Sequence, residues 1–418
     1  MQGYSSYNII SSEISYKNSP NIDAFGRLRT STPFTLFDSS HRFDDNGLWS
    51  TETATGGTAT FNAPQGLVDL AVTTASGSEV IRETTKVFSY QPGKSLLVLS
   101  TFVMSPAKTG LRQRVGYYGA KNGYYLELNN TTSVSFVERS FVTGAVVDTP
   151  VAQASWNIDP MDGSGPSGIT LDLTKAQILF MDLEWLGVGT VRIGFVIDGN
   201  FYVCHKFHHA NIIATTYITT ASLPLRYEIT NTVVTSSASI LKQICSTVLS
   251  EGGYQLTGLQ QAVGTPVTTP KNLPSAGTFY PIVSLRLKTT PDRLDAIVIC
   301  TAISIIATTS ADYNWQVRAS GTTSGGVGWI DAPGDSSVQY NIDGTSFTGG
   351  RILASGFFSV SNQGSTQVDI LKEALFKTQL ERNGLTGAPF ELTVVVASNA
   401  TGGGGNVLAS MDWEEISR

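Results

Sequence analysis

From residue 33 onward, apolar side chains fall in short runs separated by polar breaks. Val, Ile, Leu, Phe and Tyr gather at residues 95–104, 112–118, 124–128, 133–137, 176–185, 190–197 and 201–207. Runs of this length, rich in branched and aromatic side chains, predict strands. The breaks carry turn chemistry. Asn122-Gly123 and Asp198-Gly199-Asn200 sit between strong runs, and such pairs readily take the positive φ angles of tight hairpins. Few runs show a helical stripe. The pattern therefore predicts an all-β chain, with an antiparallel jelly-roll β-sandwich over residues 33–253 rather than a parallel α/β sheet. Residues 254–276 mix Gly, Pro and Thr with little to bury, and read as a linker. A second, smaller β-sandwich is expected over 277–418, with strands at 280–287, 296–304, 313–318, 351–360 and 390–397. Within it, Ile370, Leu371, Ala374 and Leu375 read as a short amphipathic helix or turn over 369–380. Residues 1–32 sustain neither period and read as an extended N-terminal arm.

Composition narrows the class. Charged residues are 14% of the 418, against about 25% in an ordinary soluble domain, and the net charge is -6. Thr, Ser, Asn and 41 Gly make up the difference. Such a surface suits wide protein contacts, because fewer charges lose water on burial. No basic run points to nucleic acid. No apolar stretch reaches the 18 or so residues of a membrane span. Residues 1–10 lack the basic-then-apolar order of a secretion signal. Cys204, Cys245 and Cys300 are scattered, odd in number and without metal or redox spacing, which reads as free thiols in a reducing cytoplasm.

Several clusters invite a chemical reading. Phe180-Met181-Asp182-Leu183-Glu184 resembles the Glu-x-Asp-x-Glu strand of jelly-roll glycosidases of the laminarinase type. Alternate residues on a strand share a face, so three acids there line a sugar cleft. Retaining hydrolysis needs two carboxyls about 5–5.5 Å apart. Here Phe180 stands in the nucleophile's place, which predicts a non-catalytic strand whose acids pair with Arg192 or Arg226. Cys204-His205-Lys206-Phe207-His208-His209 holds three of the four histidines, but a strand sends neighbours to opposite faces and neither pair completes a zinc site. Gly187-Val188-Gly189 lacks dinucleotide-binding spacing and reads as a turn. Asp159 and Asp162 before Gly163-Ser164-Gly165 lack a full calcium-loop pattern. No cofactor and no metal are expected. The aromatic residues allow a glycan-binding face on either sandwich, since aromatic rings stack on sugars.

Asp23-Ala24-Phe25-Gly26-Arg27-Leu28-Arg29 followed by Pro33-Phe34-Thr35-Leu36-Phe37-Asp38 resembles the opening signature of a family of virion structural proteins from marine and other large tailed phages. The resemblance continues at Tyr90-Gln91-Pro92-Gly93-Lys94-Ser95, at Glu184-Trp185-Leu186-Gly187-Val188-Gly189, at Leu223-Pro224-Leu225-Arg226-Tyr227-Glu228-Ile229, and at Met411-Asp412-Trp413-Glu414-Glu415. It implies a particle component with a concanavalin-like sandwich and no catalytic residue. The expected role is a head decoration or head fibre, neck or tail component, assembled in the host bacterial cytoplasm and contacting other virion proteins. A homo-oligomer is expected, with a trimer the guess for a projecting piece. The alternatives are a host-glycan-binding attachment module and, third, a polysaccharide hydrolase. Within the arm, Gly26 would let the chain bend. Arg27 and Arg29 would clamp carboxylates or carbonyls on a neighbour. Phe25, Leu28, Phe34 and Phe37 are candidate apolar anchors.

Overall fold

The computed structural model describes residues 30–131, 133–360, 378–400 and 404–417. Among them the one helical element is a 3-10 turn, Gln153–Ser155, and everything else regular is β. Two antiparallel sheets form the first sandwich. An eight-stranded sheet runs Asn200–Phe207, Val191–Ile197, Gln177–Leu183, Leu96–Val103, Ser239–Ser250, Leu67–Val72, Thr58–Asn62, with Phe34–Ser40 also on Ser239–Ser250. A seven-stranded sheet runs Val147–Ala152, Ser133–Ser140, Gly123–Asn129, Leu111–Tyr118, Leu225–Asn231, Glu79–Thr84, Trp49–Ala54. Neighbours far apart in sequence, such as Leu96–Val103 beside Ser239–Ser250, are the long crossings of a jelly roll.

Alternation builds the core. Leu96–Val103 is buried at every second residue, which places Leu96, Val98 and Phe102 between the sheets. The Asp198-Gly199 turn is the predicted two-residue hairpin: both residues have positive φ, 51° and 76°, and Ile197 pairs directly with Asn200. Asn122 plays another part. Its side chain is buried and staples two loops, with Oδ1 accepting from the Phe141 and Thr219 amides, each at 3.1 Å.

The second sandwich pairs a four-stranded with a six-stranded sheet around Trp413, Tyr313, Trp315 and their aliphatic neighbours. Its boundary corrects the linker reading of 254–276. Leu259–Gly264 and Lys271–Leu273 are strands paired along Gly405–Ser417, and Leu273 is buried in this second core. Leu259–Gly264 is half-exposed along its length, so its backbone ladder holds it and no apolar run announces it. Of the helix or turn expected over 369–380, residues 369–377 lie outside the described residues. Leu380 is buried in the core, its amide donating to the Val298 carbonyl at 2.9 Å.

The two sandwiches meet over Val87, Ile297 and Ile299, flanked by Leu256 and Ile416. Beside this small apolar patch lies a chain of buried ions. Arg112 reaches Glu228 at 2.8 Å, Arg226 reaches Glu228 at 3.2 Å and Glu83 at 3.3 Å, and Arg382, in the small hairpin of Arg382–Asn383 with Ala388–Pro389 that extends from the second sandwich, reaches Glu83 at 3.0 Å.

Candidate functional site

Gln177–Leu183 lies inside the eight-stranded sheet, between Leu96–Val103 and Val191–Ile197. Leu179, Met181 and Leu183 point into the core. Phe180 and Asp182 therefore share the outer face. Asp182 sits opposite Arg192 in the ladder and forms an ion pair with it. Of the two partners expected for the acids, it is thus Arg192 that pairs with Asp182; Arg226 belongs to the other sheet. Phe180 lies opposite Gly194, and a Cβ on Gly194 would meet the Tyr202 carbonyl oxygen at 1.9 Å and the Phe180 ring at 2.9 Å. The missing side chain lets Phe180 pack edge-to-face against Phe201, with centroids 5.1 Å apart. Phe201 is 55% exposed. Glu184 follows the strand, exposed, and its Oε2 accepts from the Thr190 amide at 3.3 Å. Two hollows open on this face. One, of about 280 Å³, is lined by Phe180, Phe201, Val203 and Leu97. The other, of about 410 Å³, is lined by Tyr90, Lys94, Ser95, Glu184 and Thr190. Asp182 and Arg192 belong to both.

In the histidine segment a bulge leaves Cys204 without a ladder partner between Val203 and His205, and Cys204 and His205 are both buried. His205 Nδ1 accepts from the Asn157 amide at 3.2 Å. Burial, with His208 nearby, lowers its pKa from 6.5 to about 4. His209 lies 2.8 Å from Glu138 and stacks on Tyr217 at 3.9 Å. Burial pushes the Cys204 thiol up to about 12. Among the described residues no group of three His, Cys, Asp or Glu side chains is arranged to hold a metal ion. Asp159 braces its own loop, accepting from the Met161 and Ser167 amides at 2.8 and 2.9 Å. Burial alone would raise its carboxyl, but these bonds outweigh it and hold it below the usual range. Trp185 to Gly189 is a turn, with the Gly189 amide donating to the Trp185 carbonyl at 2.7 Å.

Of the proposed docking residues, Phe25, Gly26, Arg27, Leu28 and Arg29 lie outside the described residues. Phe37 is corrected: it is 6% exposed and packs on Phe88 at 4.9 Å, so it serves its own core and is not open to a neighbour. Phe34 is half-buried against Tyr254, with centroids 5.9 Å apart.

One constellation escaped the sequence reading. On the outer face of the seven-stranded sheet, Tyr118 and Tyr125 lie fully buried, with rings 4.5 Å apart. Arg114, Arg139 and Arg226 cover them, each guanidinium 4.9 to 5.7 Å from a ring centroid. Burial alone would raise the Glu228 carboxyl; Arg226, Arg114 and Arg112 outweigh it and hold it low. The available signal was alternation: Arg112 and Arg114 on one strand, Tyr125 and Glu127 on its neighbour, with Arg114 opposite Glu127, which marks one face of two paired strands.

No known family profile matches the sequence, and no curated protein matches it. Solved structures do resemble it. The carbohydrate recognition domain of Emp47p is 11% identical, with a TM-score of 0.34 over 53% of this chain and 97% of that one. The β-glucanase of Bacillus licheniformis is 13% identical, with a TM-score of 0.32 over 51% and 96%. Peanut lectin, solved with a nine-residue peptide, is 10% identical, with a TM-score of 0.30 over 53% and 98%. The chain is all-β, a jelly-roll sandwich of two antiparallel sheets followed by a second β-sandwich.

Proposed function

We propose that this chain is a non-catalytic structural component of a tailed-phage particle, a head decoration or fibre, neck or tail piece that acts through protein–protein assembly. The observation that supports it most is the state of its acids. On the strand where a jelly-roll glycosidase would carry its working carboxyls, Phe180 replaces one and Asp182 is held by Arg192. Two carboxyls are required for that chemistry; Phe180 stands in place of one, Glu184 remains alone as the other, and the Asp182 between them is paired with Arg192. The junction adds support: ions buried between the sandwiches, together with an apolar patch, suit a stiff part. The thinly charged surface suits broad contacts.

The test is incorporation. The protein is labelled on intact particles and located by electron microscopy. Deleting residues 1–30 should leave a folded protein that no longer joins particles, because the first described strand begins at Phe34. Normal incorporation of the truncated protein refutes docking through the arm, and absence of the protein from particles refutes the assembly role. Release of reducing sugar from β-glucans, abolished by Asp182→Ala or Glu184→Ala, would refute the non-catalytic reading.

A further inference from the structure

We propose that the trough on the outer face of the eight-stranded sheet binds a neutral saccharide. Asp182 and Arg192 line both hollows, which lie side by side on this face as a half-open trough, each within reach of a small polar ligand. Its two halves differ in chemistry. At one end Phe201 offers an exposed ring, fixed from beneath by Phe180. The negative face of an aromatic ring attracts the weakly positive C–H groups on one side of a pyranose. At the other end the lining is polar, with Ser95, Glu184 and Thr190 supplying hydroxyls and a carboxylate. Between them a carboxylate stands beside a guanidinium. A sugar's neighbouring hydroxyls each donate and accept, and this pair meets both needs.

The charges select against an anionic ligand. Arg192 is paired with Asp182. Lys94 Nζ donates to Gln91 Oε1 at 2.8 Å and to the Gly253 carbonyl at 3.2 Å. Glu251 and Glu184 complete the lining, so acids outnumber bases there. A uronate, sulfate or phosphate would meet a guanidinium already paired, a lysine held by two neutral oxygens, and three acids against those two bases. An extended peptide is disfavoured for a different reason. The strands that carry Phe180, Asp182 and Arg192 are internal to the sheet and paired on both sides, so the floor beneath the ion pair offers no backbone for an added strand; the one edge nearby is that of Asn200–Phe207. Because Phe180 occupies the place of one acid, the bound sugar is held and not cleaved. This site does not depend on the assembly role, and binding is measured without particles.

The experiment uses the purified full-length chain and calorimetric titration with neutral tetrasaccharides of glucose, galactose and mannose, beside uronate tetrasaccharides. At least one neutral tetrasaccharide should bind at concentrations below about 10 mM, with the uronates weaker. Phe201→Ala should weaken that binding by about tenfold or more, while Phe43→Ala, an exposed aromatic elsewhere, should leave it unchanged. Phe201 is half in solvent, so its removal leaves the melting temperature near wild type, and that measurement controls for folding. Arg192→Lys, which keeps the charge and loses the planar fork, should also weaken binding. No neutral binding, tighter uronate binding, or unchanged binding to folded Phe201→Ala would each overturn the proposal.

Discussion

Arg382→Met should loosen the two sandwiches from each other. Arg382 is 2% exposed, and every polar atom of its guanidinium has work at the junction. Nη2 lies 3.0 Å from Glu83 and 3.0 Å from Asp295, Nε donates to Asp295 at 3.1 Å, and Nη1 donates to the Thr84 carbonyl at 2.7 Å. Methionine keeps much of the volume and removes all of these bonds. Glu83 would remain buried with Arg226 as its one cation, at 3.3 Å. Burial already pushes the Glu83 carboxyl up against the pull of Arg382 and Arg226. Breaking one side of a buried ion pair costs about 3–5 kcal/mol, because the abandoned charge keeps its desolvation penalty. Urea unfolding measures the loss. Hydrogen exchange locates it, at the amide of Arg382 itself, which donates to the Thr85 carbonyl at 2.8 Å. The double variant Glu83→Gln/Arg382→Met should recover a large part of the loss, since no buried charge is then stranded. A loss below about 1 kcal/mol, or a double variant no better than the sum of the singles, would refute the assignment of junction strength to this ion chain.

Acid should weaken the first sandwich through two histidines. Burial, helped by Arg82, lowers His41 from 6.5 to about 4, and burial with His208 does the same to His205. The unfolded chain takes up protons that these folded rings refuse, so their contribution is intact above about pH 6.5 and falls towards pH 4, by up to about 3 kcal/mol each. Urea midpoints for wild type and for His41→Gln/His205→Gln should converge as pH drops through that window. Gly194→Ala should cost more than about 3 kcal/mol or abolish soluble expression, because its Cβ would fall 1.9 Å from the Tyr202 carbonyl oxygen; a near-wild-type melting temperature would contradict this. A thiol reagent should label one cysteine in the native protein and three in denaturant, since Cys245 is exposed while Cys204 and Cys300 are buried. Mass spectrometry identifies the labelled site.

The sequence disclosed the features that depend on local pattern. Residues 95–104 alternate, and Leu96–Val103 is a strand buried at every second position. Asp198-Gly199 announces the hairpin of Val191–Ile197 with Asn200–Phe207, and the glycine-flanked turn at Trp185–Gly189 brings Arg192 opposite Asp182, ten residues away. Features that depend on distant partners stayed hidden. Leu259–Gly264 finds its partner about 150 residues later, and its own side chains carry no stripe. Phe37 illustrates a subtler loss. A register shift between Thr35 and Phe37 lets the consecutive Leu36 and Phe37 both turn inward, which strict alternation forbids. Without that bulge, one of the two would face outward.

The ion chain explains how a chain so poor in charge places what it has. Arg112, Glu228, Arg226, Glu83 and Arg382 lie in succession from the outer face of one sheet into the second sandwich, and Glu228, Glu83 and Arg382 are almost wholly shielded from solvent. Shielded pairs feel added salt much less than surface pairs do. They are also demanding in geometry, because each lone pair or N–H left over remains unsolvated. The apolar patch of Val87, Ile297 and Ile299 supplies attraction without direction, and the ions supply direction. Removing the patch would weaken the junction while leaving its angle defined; removing an ion would leave two surfaces that still attract but can slide. Charge used in this way fixes the relative orientation of the two sandwiches and leaves most of the outer surface to hydroxyl and amide groups.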